Sequence, residues 1–303
     1  VKALVVGYGS IGSRHARILA ELGCAVAVVS SRERVHECRF ASIGEALEKF
    51  DPDYVVIACE TARHHATMFE LAAIDFKGIV LVEKPLFGAL AEVPENRFSK
   101  VYVAYNLRFH PLLTRLRELL TGETILSVQA YAGQYLPLWR PDQDYRHCYS
   151  ADRDAGGGVL RDLSHELDYL NWLLGGWRSI TASGGHFSPL EISSDDLFAV
   201  LMSTSRCPVV SLQLNYLDRL TRREIIINTA QKTFEVDFVA GRLMIDKERE
   251  EVSVGRDYTY RGMHVSIMQN NGETVCTLAE GLDVVRMIDA AERASREALW
   301  IQR

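Results

Sequence analysis

The chain has 303 residues, 48% apolar and 24% charged, enough for sizeable cores and, at about 150 residues per domain, for two of them. A net charge of -6 with dispersed Lys and Arg supplies no basic field for a nucleic-acid backbone, so nucleic acid is not an expected partner. No apolar run reaches the roughly 18 residues of a membrane span, and residue 1 already opens a strand, so neither a membrane segment nor a signal peptide is expected and the expected location is cytoplasmic. The six cysteines are widely spaced without a C-x-x-C, which reads as reduced packing residues rather than a zinc site or a disulfide framework.

Short apolar runs at 3–6, 25–29, 54–58, 79–82 and 101–104 alternate with longer amphipathic segments, the pattern of a parallel sheet wrapped by helices. The runs are nearly all Val, Ile, Leu and Ala, as expected of strands covered on both faces. The first run leads into Gly7-Tyr8-Gly9-Ser10-Ile11-Gly12, after which Ile11, His15, Leu19 and Leu22 recur at helical spacing until Gly23. A Gly-rich turn between strand and helix predicts a Rossmann dinucleotide site, with Gly7 for the turn, Gly9 for approach to a pyrophosphate and Gly12 for helix packing. Ser10 and Ile11 then lie at a helix N-terminus that offers N–H groups to phosphate. A Gly-rich turn without a ligand is the bland alternative.

The second strand ends Val29-Ser30-Ser31-Arg32, without an acidic residue to hold the ribose 2′-hydroxyl of NAD. Hydroxyls followed by a guanidinium suit a 2′-phosphate, so Ser30, Ser31 and Arg32 predict NADP(H) over NAD(H). The opposing reading has Arg32 solvated and Glu33 turned toward the ribose. The fourth run ends in Glu83-Lys84-Pro85, which places an amine at the carboxyl edge where open α/β sheets bind ligands. Burial and a positive nicotinamide would both depress the Lys84 pKa and let it steer a proton, with Glu83 orienting it. Lys84 could equally be a solvated strand-end lysine.

Beyond Asn106 the pattern changes, which predicts a nucleotide-binding domain over 1–106 and a substrate and oligomerisation domain over 107–303. A helix-like stretch at 111–120 and a strand candidate at 125–135 precede a polar, aromatic segment at 136–155. Gly156-Gly157-Gly158 then opens a helix-like run at 159–174. Strand candidates near 196–204, 208–216, 223–229 and 232–239 predict a largely antiparallel sheet, and an amphipathic helix from 278 to about 299 closes the chain. Asn106 has an amide able to hold a carboxamide, and Arg108 a guanidinium able to bind sugar or phosphate, with an interdomain salt bridge as the alternative. Trp139, Tyr145 and Arg146 suit a sugar ring or its nucleotide, or pack a structured loop.

The Gly7 to Gly12 turn, Glu83-Lys84-Pro85, Tyr105-Asn106-Leu107-Arg108-Phe109, and Gly156-Gly157-Gly158 followed by His165-Glu166-Leu167-Asp168 occur in order. With them the chain resembles the glucose-fructose oxidoreductase, inositol dehydrogenase and MocA family over essentially its whole length. Trp139-Arg140-Pro141 through Asp144-Tyr145-Arg146 and Tyr149-Ser150-Ala151 resembles a branch found with bacterial surface-sugar biosynthesis. The resemblance implies a Rossmann domain, a C-terminal α/β domain with an open sheet that carries subunit contacts, and a homodimer or homotetramer. It also implies a cis peptide before Pro85 and, after the third strand, a histidine near the cofactor, where Cys59, His64 and His65 stand.

A histidine side chain in general titrates near neutral pH, so one at position 165 can take a hydroxyl proton as hydride leaves the same carbon, or return it in reduction. Asp168, three residues on, shares its helix face and can bind a sugar hydroxyl or orient the imidazole. A helical histidine is otherwise a satisfied packing residue. The family often has an aspartate four residues before its histidine, whereas this chain has Arg161 there and Asp162 three before. Asp162 could serve in its place or be a salt-bridged group. His165-Glu166-Leu167-Asp168 lacks the second histidine of a zinc helix, and no metal is predicted. The function expected is an NADP(H)-dependent oxidoreductase moving a hydride between nicotinamide and a hydroxyl or keto carbon of a sugar-like substrate. The alternative is a non-catalytic dinucleotide-sensing protein of the same fold.

Overall fold

The computed structural model describes every residue except Glu33, Arg34 and Arg140. In chain order the first elements are β1 (Lys2–Val6), α1 (Ser10–Glu21), β2 (Ala25–Val29), β3 (Arg39–Phe40), α2 (Ile43–Phe50), β4 (Tyr54–Ile57), α3 (His64–Ala73), β5 (Ile79–Val82) and β6 (Lys100–Val103). Then follow α4 (Pro111–Leu119), β7 (Ile125–Gly133), α5 (Val159–Asp162), α6 (Ser164–Leu173), β8 (Trp177–Gly185), β9 (Leu197–Thr204), β10 (Val209–Asn215) and β11 (Arg222–Thr229). The last are β12 (Thr233–Asp237), β13 (Arg242–Ile245), β14 (Glu248–Glu251), α7 (Tyr258–Met268), β15 (Cys276–Thr277), α8 (Leu278–Glu297) and β16 (Ile301–Gln302).

These elements form two compact units, Val1–Phe109 with Arg256–Val285, and His110–Gly255 with Arg286–Arg303. The single boundary expected after Asn106 is therefore corrected. The first crossing follows Phe109, and residues 256–285 return to the nucleotide-binding unit. The physical reason lies in α7, whose Met263 and Ile267 bury in one core with Ala16 and Leu19 of α1 and Val5, Val28 and Val56 of the sheet. That sheet has the order β15-β6-β5-β4-β1-β2-β3, parallel from β3 to β6, with β15 added antiparallel to β6. Its strand order reverses between β1 and β4, the topological switch point where such sheets bind dinucleotides.

The second unit contains a nine-stranded sheet of order β14-β13-β12-β11-β7-β10-β9-β8-β16. All of its pairs are antiparallel except β7 with β10. Strand β9 alternates buried and open positions, with Phe198, Val200 and Met202 inward and Leu201 outward, as a sheet with one covered face requires. The run expected as one helix over 159–174 is two, because the chain turns at Leu163 between α5 and α6.

Leu81 is fully buried in the first unit's core. Leu81→Ala is expected to lower the unfolding free energy of that unit by about 2–5 kcal/mol, read as an earlier thermal transition.

Candidate functional site

The turn after β1 is held by close backbone approach. Gly7 has φ +96°, and a Cβ there would meet Cys59 N at 2.6 Å and Ala58 O at 2.7 Å. A Cβ on Gly12 would lie 2.0 Å from Gly7 O, so α1 reaches its place against β1 only with glycine at that position. Around Gly9 an added Cβ meets nothing within 4 Å, and the N-terminus of α1 has no side-chain cap. The turn is thus a tight backbone loop with an open middle and uncapped helix N–H groups, the arrangement a pyrophosphate fills. Ser10 and Ile11 open α1, while Cys59 follows β4 on the other side of the switch point.

At the end of β2, Ser30 is buried and its hydroxyl accepts from Arg32 N–H at 3.1 Å. Ser31 and Arg32 are exposed, and Arg39 Nε donates to Ser30 O at 2.9 Å. Arg39 is a second guanidinium at this edge that local reading overlooked, although β3 continues directly from it. Glu33 and Arg140, each invoked from the sequence, lie outside the described residues.

Beyond β5 the Glu83 carboxylate is buried, with Oε1 2.8 Å from His15 Nε2 and Oε2 accepting from Lys84 N–H at 3.0 Å. Burial works to raise its pKa, but the hydrogen bond of His15, the Lys84 charge and the Lys84 N–H outweigh it and hold Glu83 below the usual carboxylate range. Lys84 is half-buried and precedes a cis bond to Pro85. His64 is 1% exposed, with Nδ1 3.0 Å from Pro85 O and Nε2 3.1 Å from Cys59 O. Burial pushes its pKa down. His64 thus braces the Cys59 turn against the Pro85 segment. Asn106 is buried and its amide donates to Thr259 Oγ1 at 2.6 Å. Arg108 is 1% exposed and ion-paired to Glu280 at 2.9 Å, within the same unit. The salt bridge that the sequence offered as the alternative is present, but within one unit rather than between domains.

In the second unit, His165 is the one residue between positions 161 and 170 that is not buried. Asp168 is 2% exposed on the same helix. Asp162 accepts from Tyr216 Oη at 2.6 Å and from Tyr149 Oη, and is 5% exposed. It thereby anchors those two phenols. Arg161, in place of the family's usual aspartate, pairs with Glu292 at 2.7 Å. Trp139 Nε1 donates to Gln134 O and its ring packs edge-on to Tyr216 at 5.2 Å. Tyr145 Oη accepts from Glu191 N–H, and Arg146 pairs with Asp144 and Glu191. These three side chains make the contacts of a structured loop, the alternative the sequence left open beside substrate binding. Among the described residues no group of three His, Cys, Asp or Glu is arranged to hold a metal ion, and no helix is long and apolar enough to cross a membrane.

The family model for the oxidoreductase family with an NAD-binding Rossmann fold matches residues 1–96, and that for the GFO/IDH/MocA C-terminal domain matches residues 113–243. No curated protein sequence matches the chain. Among solved structures, levoglucosan dehydrogenase in complex with NADH is similar at 16% identity and TM-score 0.84, over 100% of this chain and 98% of that one. GenD2 from gentamicin A biosynthesis in complex with NAD is similar at 21% identity and TM-score 0.81, over 100% and 96%. The WlbA dehydrogenase from Bordetella pertussis, with NADH and UDP-GlcNAcA, is similar at 18% identity and TM-score 0.79, over 100% and 98%.

Gly12→Ala is expected to abolish measurable dinucleotide binding in a fluorescence titration, because the new methyl displaces α1 from the phosphate turn. Acid sensitivity follows from the buried groups. His264 in α7 has its folded pKa pushed well below 6.5 by burial and by His15. The unfolded chain therefore binds a proton that the folded one refuses, and stability falls as pH drops below about 6.5. Glu83, depressed below 4.5, contributes stability that is present above that pH and lost as pH falls through its folded value. Denaturant midpoints measured from pH 8 to 4 should fall in that order, and His264→Gln should flatten the upper part of the decline.

Proposed function

Because the chain belongs to the GFO/IDH/MocA family of oxidoreductases, we propose that it moves a hydride between a nicotinamide dinucleotide and a hydroxyl or keto carbon of a sugar or nucleotide-sugar. The observation that carries this reading is the retention of both proton-handling groups. Lys84 follows a buried carboxylate at the carboxyl edge of the Rossmann sheet, and His165 alone keeps solvent access on an otherwise buried stretch. The bound dinucleotide supplies the hydride chemistry. The chain's own part is to hold the pyrophosphate on the Gly7 to Gly12 turn and to move one proton at Lys84 Nζ and the His165 imidazole. Asp168, buried one helical turn from His165, orients that imidazole.

Three finer features belong to the same proposal. Ser30, Ser31, Arg32 and Arg39 supply hydroxyls and two guanidiniums at the end of β2 and favour NADP(H), although the neighbours described above hold NAD or NADH. Sugar chemistry is supported by the levoglucosan and UDP-GlcNAcA relatives, and a place in surface-polysaccharide synthesis by the segment around Asp144 to Ala151. A homodimer or homotetramer forms through the open face of the nine-stranded sheet, where Leu201 is 40% and Val209 50% exposed.

Lys84→Ala and His165→Ala should each lower kcat on the sugar substrate by about 10²–10⁴ while leaving dinucleotide affinity within a few-fold. Near-normal turnover in both variants, or a dinucleotide-binding protein that turns over no sugar in a broad screen, overturns the reading. Titration should show tighter NADPH than NADH, with the preference reduced in Arg32→Ala. Leu201→Arg should shift the molecular mass by light scattering toward the monomer.

A further inference from the structure

Four buried side chains of the first unit stand in file behind Lys84. Tyr54 Oη lies 3.0 Å from His264 Nδ1, His264 Nε2 lies 2.7 Å from His15 Nδ1, and His15 Nε2 lies 2.8 Å from Glu83 Oε1. The second oxygen of Glu83 accepts the backbone N–H of Lys84. Tyr54 is 1% exposed, His264 and His15 0%, and Glu83 7%, so water does not complete their hydrogen bonding. They come from β4, α7, α1 and the end of β5, four separate elements.

Their protons follow from the acceptors. An ionised carboxylate only accepts, so His15 Nε2 carries its hydrogen toward Glu83. The Nδ1 of a neutral His15 then accepts, so His264 donates through Nε2 and receives the Tyr54 hydroxyl at Nδ1. Every donor points toward Glu83. Charging His15 would reverse the two outer bonds and turn the Tyr54 hydroxyl hydrogen away from its sole hydrogen-bond partner among the described residues. A buried phenol hydrogen left without an acceptor opposes that state.

We propose that His264 and Tyr54 are positioning residues for Lys84: they hold the His15 ring with its Nε2 donor on Glu83 and so keep a carboxylate ionised beneath the Lys84 peptide. The proposal rests on the proton-handling role assigned above to Lys84. Facing the file are Lys84 at its open end, Tyr260 edge-on to His15 with Arg14 over the Tyr260 ring, and Tyr102 and Cys24 near Tyr54. None of these faces can donate to His15 Nδ1 in place of His264 without moving the ring. Losing His264 leaves His15 Nδ1 without a partner in a buried site, so the ring is no longer held with its Nε2 on Glu83 and turns away from it. Glu83 then keeps its burial but loses its strongest stabilising hydrogen bond, so it takes up a proton at higher pH and the negative charge beside Lys84 is lost.

The test combines ¹⁵N-histidine and ¹³C-glutamate NMR on the full chain with pH–rate profiles. The wild type should show His15 and His264 as neutral Nε2–H tautomers at neutral pH. His264→Phe should release the His15 ring from Glu83 and move the Glu83 titration, and with it the acid limb of kcat, upward by about one pH unit, a tenfold loss at fixed acid pH. His264→Gln, which retains a donor toward His15, should restore the wild-type limb, and Tyr54→Phe, which preserves packing, should weaken the lock on His264. An Nδ1–H or charged His15 in the wild type overturns the proposal. So does a folded His264→Phe with an unshifted Glu83, or a His264→Gln shifted as far as His264→Phe. Absence of sugar turnover in the wild type sinks the reading of Lys84 instead, while the NMR arm still decides the hydrogen-bonded file.

Discussion

Burying one carboxylate sets the terms for the nucleotide-binding unit. Glu83 extends the sheet by one backbone hydrogen bond beyond β5, to Ile57 O at 2.8 Å, and its side chain then has no route to water. An ionised carboxyl in that position is tolerable only if donors meet it. One donor is the next peptide, which ties the direction of the chain at Lys84 to the charge of Glu83. The other is His15, on the same helix whose N-terminus forms the phosphate turn. A single helix thus carries the uncapped glycine turn at one end and the partner of Glu83 about a turn and a half further on. Under the proposed function, cofactor placement and proton chemistry are coupled through α1.

The strands of both sheets were legible because burial leaves a local signature. Two-sided burial wrote continuous Val, Ile and Leu into β1, β4 and β5, and one-sided burial wrote alternation into β9. The return of residues 256–285 to the first unit left no such mark. An amphipathic segment announces that it has a buried face, not which core receives it, and α7 packs against α1 across some 240 residues of chain. The break at Leu163 was hidden for a related reason. Apolar spacing continues through it, while the turn is imposed by the contacts of α5 with β9 and β10 rather than by a Gly or Pro.

The candidate site divided along the same line. Glycine spacing is a covalent, local constraint, and the close approaches at Gly7 and Gly12 are what the spacing implied. Charged residues carry no comparable label, because their partners are distant. Arg108 looked available for a ligand, yet Glu280 meets it from 172 positions away, and Asp162 meets Tyr216 from 54 away. Sequence distance also concealed His264, since nothing near it suggests a partner 249 residues earlier. A buried histidine on the phosphate-turn helix was the available clue, because an imidazole there needs partners for both nitrogens.

The second unit shows the converse logic around His165. Arg161 is bound to Glu292, Asp162 to two tyrosines, and Glu166, fully buried, to Arg223 at 2.7 Å. Each arrangement desolvates a charge, and buried pairs of this kind are weak sources of net stability but expensive to break from one side, on the order of 3–5 kcal/mol. Their effect is directional. With both acids and the arginine committed inward, α5 and α6 have one rotational setting in which all are satisfied, and in that setting His165 keeps solvent access. Arg161 adds a clamp, to α8, that holds the helix in that setting.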